Sequence, residues 1–222
     1  MNIAFVSNKG GTGKTFCAVH TAWALATKHR VCLVDTDYSQ FSAHHWITGG
    51  ENPSALDKPF RIPGYPAFYM ICCSREGVNT IGAQIPSDTE FTIFDGRPEP
   101  NTTAAVITKH LGPGDLIVIP IEAHGAESLR QALDLKEAVK QAKSQARLFA
   151  VINKVQWGRV SPRVRQYLEN LGFALLGWLP FSDYIPWSET EGCPVWALRG
   201  GKRCKATRFF ALFARYLERG LT

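Results

Sequence analysis

The residues best suited to chemistry in this 222-residue chain stand near its start, in the run Lys9, Gly10, Gly11, Thr12, Gly13, Lys14, Thr15. A short apolar stretch, 3–7, leads into the run. Val19, Ala22, Trp23 and Ala26 follow it at helical spacing. Glycines let backbone N–H groups converge on phosphate oxygens without Cβ clashes. The start of a helix adds partial positive charge at the same place. In such a loop Lys14 reaches the outer phosphates of a triphosphate, and the Thr15 hydroxyl takes one position on Mg2+. Phe16 comes next and is counted among the nucleotide-contacting residues. The generic phosphate-loop pattern has glycine five residues before Gly13. Here that residue is Asn8, which tolerates left-handed backbone better than most. Lys9 brings a second ammonium, which by residue type alone is an extra charge attracting phosphate.

Three carboxylates follow buried-strand patterns. The apolar run 31–34 ends in Asp35, Thr36, Asp37, and the run 91–94 ends in Asp95. Ligands of open α/β sheets bind at the carboxyl ends of strands. Carboxylates there can hold Mg2+ and orient an attacking water, and phosphoryl transfer needs mostly positioning and charge neutralisation. The plain alternative for each aspartate is a helix cap or a turn.

These groups need a scaffold, and the hydrophobic pattern supplies one. Further short apolar runs occupy 67–73, 116–119, 148–152 and 174–179, and helical patterns occupy 103–111, 126–142 and 162–171. Pro162 suits a first helical turn, with Ser161 as its N-cap. Continuous apolar strands alternating with amphipathic helices predict an α/β P-loop fold. Its twisted sheet is mostly parallel, with helices on both faces. One domain spanning 1–222 is expected, with a surface excursion at 49–66 and a basic part at about 196–222. Hydrophobic content of 45% and charged content of 20% exclude a disordered chain. No apolar run reaches the roughly 18 residues of a membrane span, and no signal-peptide pattern opens the chain, so a cytoplasmic protein is expected. The six cysteines form no Cys-x-x-Cys pair and read as reduced, mostly buried thiols.

The loop as a whole, Lys9 included, resembles the deviant Walker A motif of the ParA/MinD family of ATPases. In that family the early lysine reaches across a dimer interface to the partner's nucleotide, so the resemblance implies ATP and Mg2+ sandwiched in a homodimer. It makes Lys9, Lys14 and Asp37 the catalytic set. Asp35-Thr36-Asp37 is similar to the family's Asp-x-Asp-Pro-Gln segment. This implies that Asp37 positions the attacking water and Asp35 supports the magnesium shell beside Thr15 and Asp95. Tyr38 stands where proline is usual, and Gln40 falls one place late. Asp95, with Pro98 nearby, resembles a Walker B end. Asn153 resembles the residue that hydrogen-bonds adenine, and Pro180, in Gly177-Trp178-Leu179-Pro180, resembles the one that lines the base. Glu191-Gly192-Cys193-Pro194-Val195 resembles the closing Gly-x-Pro-Val, so the likeness runs over residues 2–195.

Charge is uneven along the chain. Residues 1–139 carry 11 Lys/Arg and 14 Asp/Glu, a net of 11 − 14 = −3; residues 140–222 carry 14 and 5, a net of 14 − 5 = +9. The basic half points to a polyanion. Arg159, Arg163, Arg165, Arg199, Lys202, Arg203 and Lys205 are the candidate DNA contacts, against the plain reading of a solvated basic face. The amphipathic stretch 204–219 could dock on the sheet, lie on a membrane or flank DNA. Three functions stay open. One is a ParA-type partition ATPase, nucleoid-associated, that binds non-specific DNA and uses an adaptor or centromere-binding protein to segregate a plasmid or chromosome, or to position a protein cargo. The others are a MinD-type membrane-associated positioning ATPase and a metabolic P-loop ligase, which would not need Lys9.

Overall fold

The computed structural model describes residues 1–122, 126–156, 160 and 162–220. Eight strands form one sheet: β1 (Asn2–Phe5), β2 (Val31–Asp35), β3 (Phe60–Arg61), β4 (Phe68–Cys72), β5 (Phe91–Asp95), β6 (Leu116–Glu122), β7 (Arg147–Val155) and β8 (Ala174–Pro180). Their order across the sheet is β3-β4-β2-β5-β1-β6-β7-β8. All neighbours run parallel except β3, which pairs antiparallel with β4 through Phe60 with Met70 and Arg61 with Tyr69. The excursion at 49–66 therefore contributes an edge strand.

The α-helices among the described residues are α1 (Lys14–Ala26), α2 (Ser42–Thr48), α3 (Pro100–His110), α4 (Ala126–Gln141) and α5 (Pro162–Asn170), which lie between strands, and α6 (Tyr184–Thr190) and α7 (Lys205–Arg219), which follow β8. Both faces of the sheet are covered, so successive residues of a strand enter different cores. Ile3 and Phe5 of β1 pack with α1, α2 and α7 residues such as Trp23, Trp46 and Phe210. Ala4 and Val6 pack on the opposite side with Val106 of α3, Leu135 of α4 and Leu168 of α5. This is why the central strands lack polar alternation.

The expected α/β order is the observed one, with element ends displaced by a few residues. Helices α2 and α6 are not legible in the sequence. Each has seven residues, too few for a helical period to stand out. The cap expected at Ser161 and the candidate DNA contact Arg159 lie outside the described residues. Strand β1 stands between β5 and β6, where connections leave the sheet in opposite directions. That switch point opens a crevice at the strands' carboxyl ends, and the loop 9–15 lies there.

Candidate nucleotide site

Gly13 precedes α1 with φ 99°, and no side chain caps the helix. The first-turn N–H groups are thus left for another acceptor. A Cβ at Gly13 would lie 2.1 Å from Asn153 Nδ2, so the site needs glycine for both backbone and space. Asn153, two residues before the end of β7, is buried and donates Nδ2 to the Thr12 carbonyl at 2.7 Å, tying the loop to the sheet. Its Oδ1 is buried and has no partner.

Lys14 is buried, and its Nζ folds back to donate to the Lys9 carbonyl at 2.8 Å. Burial lowers its pKa, while Asp95 and Asp37 pull it back upward. Asp95 ends β5 directly beside Asp35 at the end of β2. Both oxygens of Asp95 are buried without a well-formed hydrogen bond. Burial pushes its pKa up to about 7, against the lowering influence of the Thr15 hydroxyl and the Lys14 ammonium. A buried carboxylate without a well-formed hydrogen bond, facing a buried ammonium and a threonine hydroxyl, is a donor set that suits a hard divalent cation and a phosphate.

Asp35, expected in the magnesium shell, is fully buried and makes three hydrogen bonds to backbone N–H groups. Its Oδ1 accepts the Asp37 N–H at 3.0 Å, and its Oδ2 accepts those of Ala43 and His44 at 2.9 and 3.1 Å. The carboxylate therefore caps α2, which enters from Phe41 at φ 47° with no local side-chain cap. It also fixes the turn that carries Asp37. Burial and the neighbouring Asp95 raise its pKa against those backbone bonds. Asp37 is buried near the loop, with Ser39 Oγ donating to its Oδ1 at 2.8 Å.

Lys9 is held within its own chain. Glu122, at the end of β6, takes Lys9 Nζ at 3.1 Å on Oε2 and Lys154 Nζ at 2.6 Å on Oε1. Burial works to raise the Glu122 pKa, but the hydrogen bonds from Lys154 and Lys9 prevail and hold it below the usual range. Neither Glu122 nor Lys154 is a site residue by sequence pattern alone. Lys154 directly follows Asn153 and, among the described residues, is one of four non-glycine residues at positive φ, at 54°, a conformation that marks constrained sites.

A cavity of about 390 Å3 opens from the loop. Thr15, Phe16, Asn153 and Pro180 line it, together with Phe181 and Ile185, two apolar residues that no sequence motif marks. Pro180 is the β8 end expected at the base. The polar loop at one end and the apolar wall at the other suit a nucleotide.

The described basic candidates lie on α5 and in the approach to α7, the two helices that contact the edge strand β8. Arg163 and Arg165 are exposed on α5, where Arg165 pairs with Glu169 at 2.9 Å. Arg199, Lys202, Arg203 and Lys205 are exposed in the approach to α7, and Lys205 Nζ sits 5.3 Å over the ring of Trp178 on β8. Helix α7 docks: Phe210, Phe213 and Leu217 are buried, while Leu212 alone of the expected apolar face is more than half exposed. Among the described residues, no helix is long and apolar enough to cross a membrane.

A nucleotide-binding P-loop protein is the class that this fold and this loop define. Residues 3–195 match the family described as the CobQ/CobB/MinD/ParA nucleotide binding domain, and the chain belongs to it. It is similar to the maintenance of carboxysome distribution protein A of Gloeobacter kilaueensis, at 40% identity over 74 residues, 28% of this chain and 34% of that protein. The match thus spans about a third of that relative's length. The fold is shared with the MinD cell division protein of Aquifex aeolicus, with a TM-score of 0.78 and 19% identity over 98% of this chain and 96% of that one. It is shared also with a putative plasmid partition protein of Borrelia burgdorferi bound to AMPPNP, with a TM-score of 0.74 and 14% identity over 98% of each chain.

Proposed function

We propose that this protein is a ParA-type ATPase that binds ATP with Mg2+, closes as an ATP-dependent homodimer and binds DNA without sequence preference. In the cell it would associate with the nucleoid and segregate a plasmid or chromosome, or position a protein cargo, with an adaptor or centromere-binding protein that stimulates hydrolysis. The observation that carries the ATPase reading is Asp95: two buried, unpartnered oxygens beside buried Lys14, next to an uncapped helix N-terminus.

Each residue has its own part in that reading. The N–H groups at the start of α1 and the Lys14 ammonium would hold the phosphates. Thr15 and Asp95 would hold the metal, which when bound neutralises charge on the phosphates. Asp37 would orient the attacking water. Asp35 keeps the Asp37 turn in place through its bonds to the Asp37, Ala43 and His44 N–H groups. The free Oδ1 of Asn153 suits an amine on the base, and Pro180 and Phe181 suit its flat face. Lys9 would cross to the partner subunit. The AMPPNP-bound partition protein of similar fold supports the nucleotide assignment.

The exposed basic residues on α5 and before α7 support DNA as the polyanion. The docking of α7, which commits Phe210, Phe213 and Leu217 to the core, favours this reading over a MinD-type membrane anchor. The test is hydrolysis of ATP together with binding to random-sequence duplex DNA, with ATP, with ADP and without nucleotide, beside anionic vesicles. Mg2+-dependent hydrolysis and DNA binding only with ATP are expected. Vesicle binding without DNA binding would favour the MinD-type reading, and absence of hydrolysis would remove the ATPase.

A further inference from the structure

The segment after Asp37 and the segment after Asp95 are joined by side chains that the phosphate loop does not explain. Arg97 lies at the junction. Its Nε is 3.0 Å from Glu99 Oε2 and its guanidinium carbon is 4.1 Å from the ring centroid of Tyr38. The Tyr38 hydroxyl donates to the same Glu99 oxygen at 2.8 Å, and Thr102 adds a hydroxyl to it at 3.2 Å. The backbone is fastened as well: the Arg97 N–H donates to Thr36 Oγ1 at 3.2 Å, and Thr36 Oγ1 donates to the Asp95 carbonyl at 2.7 Å. A guanidinium clamped between an aromatic face and a carboxylate has little rotational freedom left.

One end of this guanidinium is not satisfied. Arg97 Nη1 is buried with no hydrogen-bond partner and lies 3.8 Å from Asp37 Oδ1. That oxygen already accepts the Ser39 hydroxyl at 2.8 Å. The Ser39 hydroxyl and the guanidinium charge thus both lie on the Oδ1 side of Asp37, which leaves Oδ2 as the oxygen to meet a water. We infer that Arg97 is a positioning residue for hydrolysis: it orients the Asp37 carboxylate, and Tyr38 and Glu99 hold it there. The inference rests on the ATPase reading above. It also accounts for Tyr38, which stands where the resembled motif has proline. A proline could offer neither the ring beneath Arg97 nor the hydroxyl to Glu99.

The experiment measures steady-state hydrolysis and the affinity for a fluorescent ATP analogue in the full chain and in Arg97→Ala, Arg97→Lys, Tyr38→Leu and Tyr38→Phe, with the melting temperature of each. Arg97→Ala is expected to lower kcat by about tenfold or more while analogue affinity stays within about threefold, the signature of lost positioning and not lost binding. Arg97→Lys should recover part of kcat, because the charge returns without the planar fork. Tyr38→Leu should resemble Arg97→Ala, and Tyr38→Phe, which keeps the ring, should lose only about two- to threefold. Since Arg97 acts through Asp37, its removal should cost little further in an Asp37→Asn background. Wild-type kcat in Arg97→Ala would overturn the inference, as would a parallel fall of affinity, kcat and melting temperature. Wild-type protein that binds no ATP analogue would overturn the ATPase reading and this inference with it. Wild-type hydrolysis with an unaffected Arg97→Ala overturns this inference alone.

Discussion

Lys9 Nζ lies 3.1 Å from Glu122 Oε2 of the same chain, and Lys154 occupies the other oxygen of that carboxylate. The lysine proposed to serve a second subunit is therefore held within its own chain. In that proposal, triphosphate and partner compete with Glu122 for it. Replacing Glu122 by Gln keeps the shape and removes the charge. Because Lys9 is about a third exposed, the pair is partly screened and its contribution is modest. Glu122→Gln should lower the ATP concentration needed for dimerisation by roughly two- to fivefold. Lys9→Ala should bind ATP yet remain monomeric. Sedimentation across an ATP titration reads both, and a Lys9→Ala protein that dimerises normally would remove the cross-subunit role.

Gly13→Ala sets a Cβ against the amide that pins the loop, at a backbone φ of 99° that alanine avoids. The loop and Asn153 must separate. Loss of detectable ATP-analogue binding is expected, with a destabilisation of about 2 kcal/mol or more from strain and the broken Asn153 to Thr12 bond. Titration calorimetry and denaturant unfolding check the two effects separately.

His20 provides the test of pH dependence. It is fully buried among Phe16, Trp23, Trp46, Trp196 and Phe210. Its Nε2 accepts the Val195 N–H at 3.1 Å, so Nδ1 carries the proton and donates to the Phe16 carbonyl at 3.0 Å. Burial lowers its pKa to about 3, from the ordinary 6.5. Below 6.5 the unfolded chain takes up a proton that the folded chain refuses, so this contribution is complete above about pH 6.5 and is lost as pH falls toward 3. The raised pKa values of Asp95 and Asp35 act in the opposite sense over this range, so the part of His20 is read as a difference between proteins. From pH 7 to 4.5 the wild-type melting temperature should lose more, or gain less, than that of His20→Gln, which keeps a hydrogen-bonding side chain but does not titrate and starts lower. Equal slopes in the two proteins would deny His20 this part.

Lys202 and Arg203 stand exposed in the turn just before α7. If they meet phosphates, replacing both with alanine should weaken ATP-dependent DNA binding equally on all sequences. It should also reduce the slope of log affinity against log salt by about 0.9 for each phosphate left without its cation. Hydrolysis without DNA should not change. An unaltered slope would return these residues to the solvated surface.

Much of this protein is local, and what is local could be read from the chain. The phosphate loop is seven contiguous residues between a strand and a helix, so residue type and spacing define its backbone. The strands 31–35 and 91–95 were legible because a sheet covered on both faces demands continuous apolar residues. Their aspartates follow from the rule that sites gather at strand ends. The tertiary structure decided what depends on strand order and on side-chain reach. Only the adjacency of β2 and β5 sets Asp35 beside Asp95. Only the fold shows that Asp35 turns to α2 while Asp95 keeps its oxygens free. Asn153 meets Thr12 across 141 residues of chain, and Glu122 meets Lys9 across 113. No spacing in the sequence encodes such pairs, because a sheet's neighbours are fixed by the burial of all its strands and helices together.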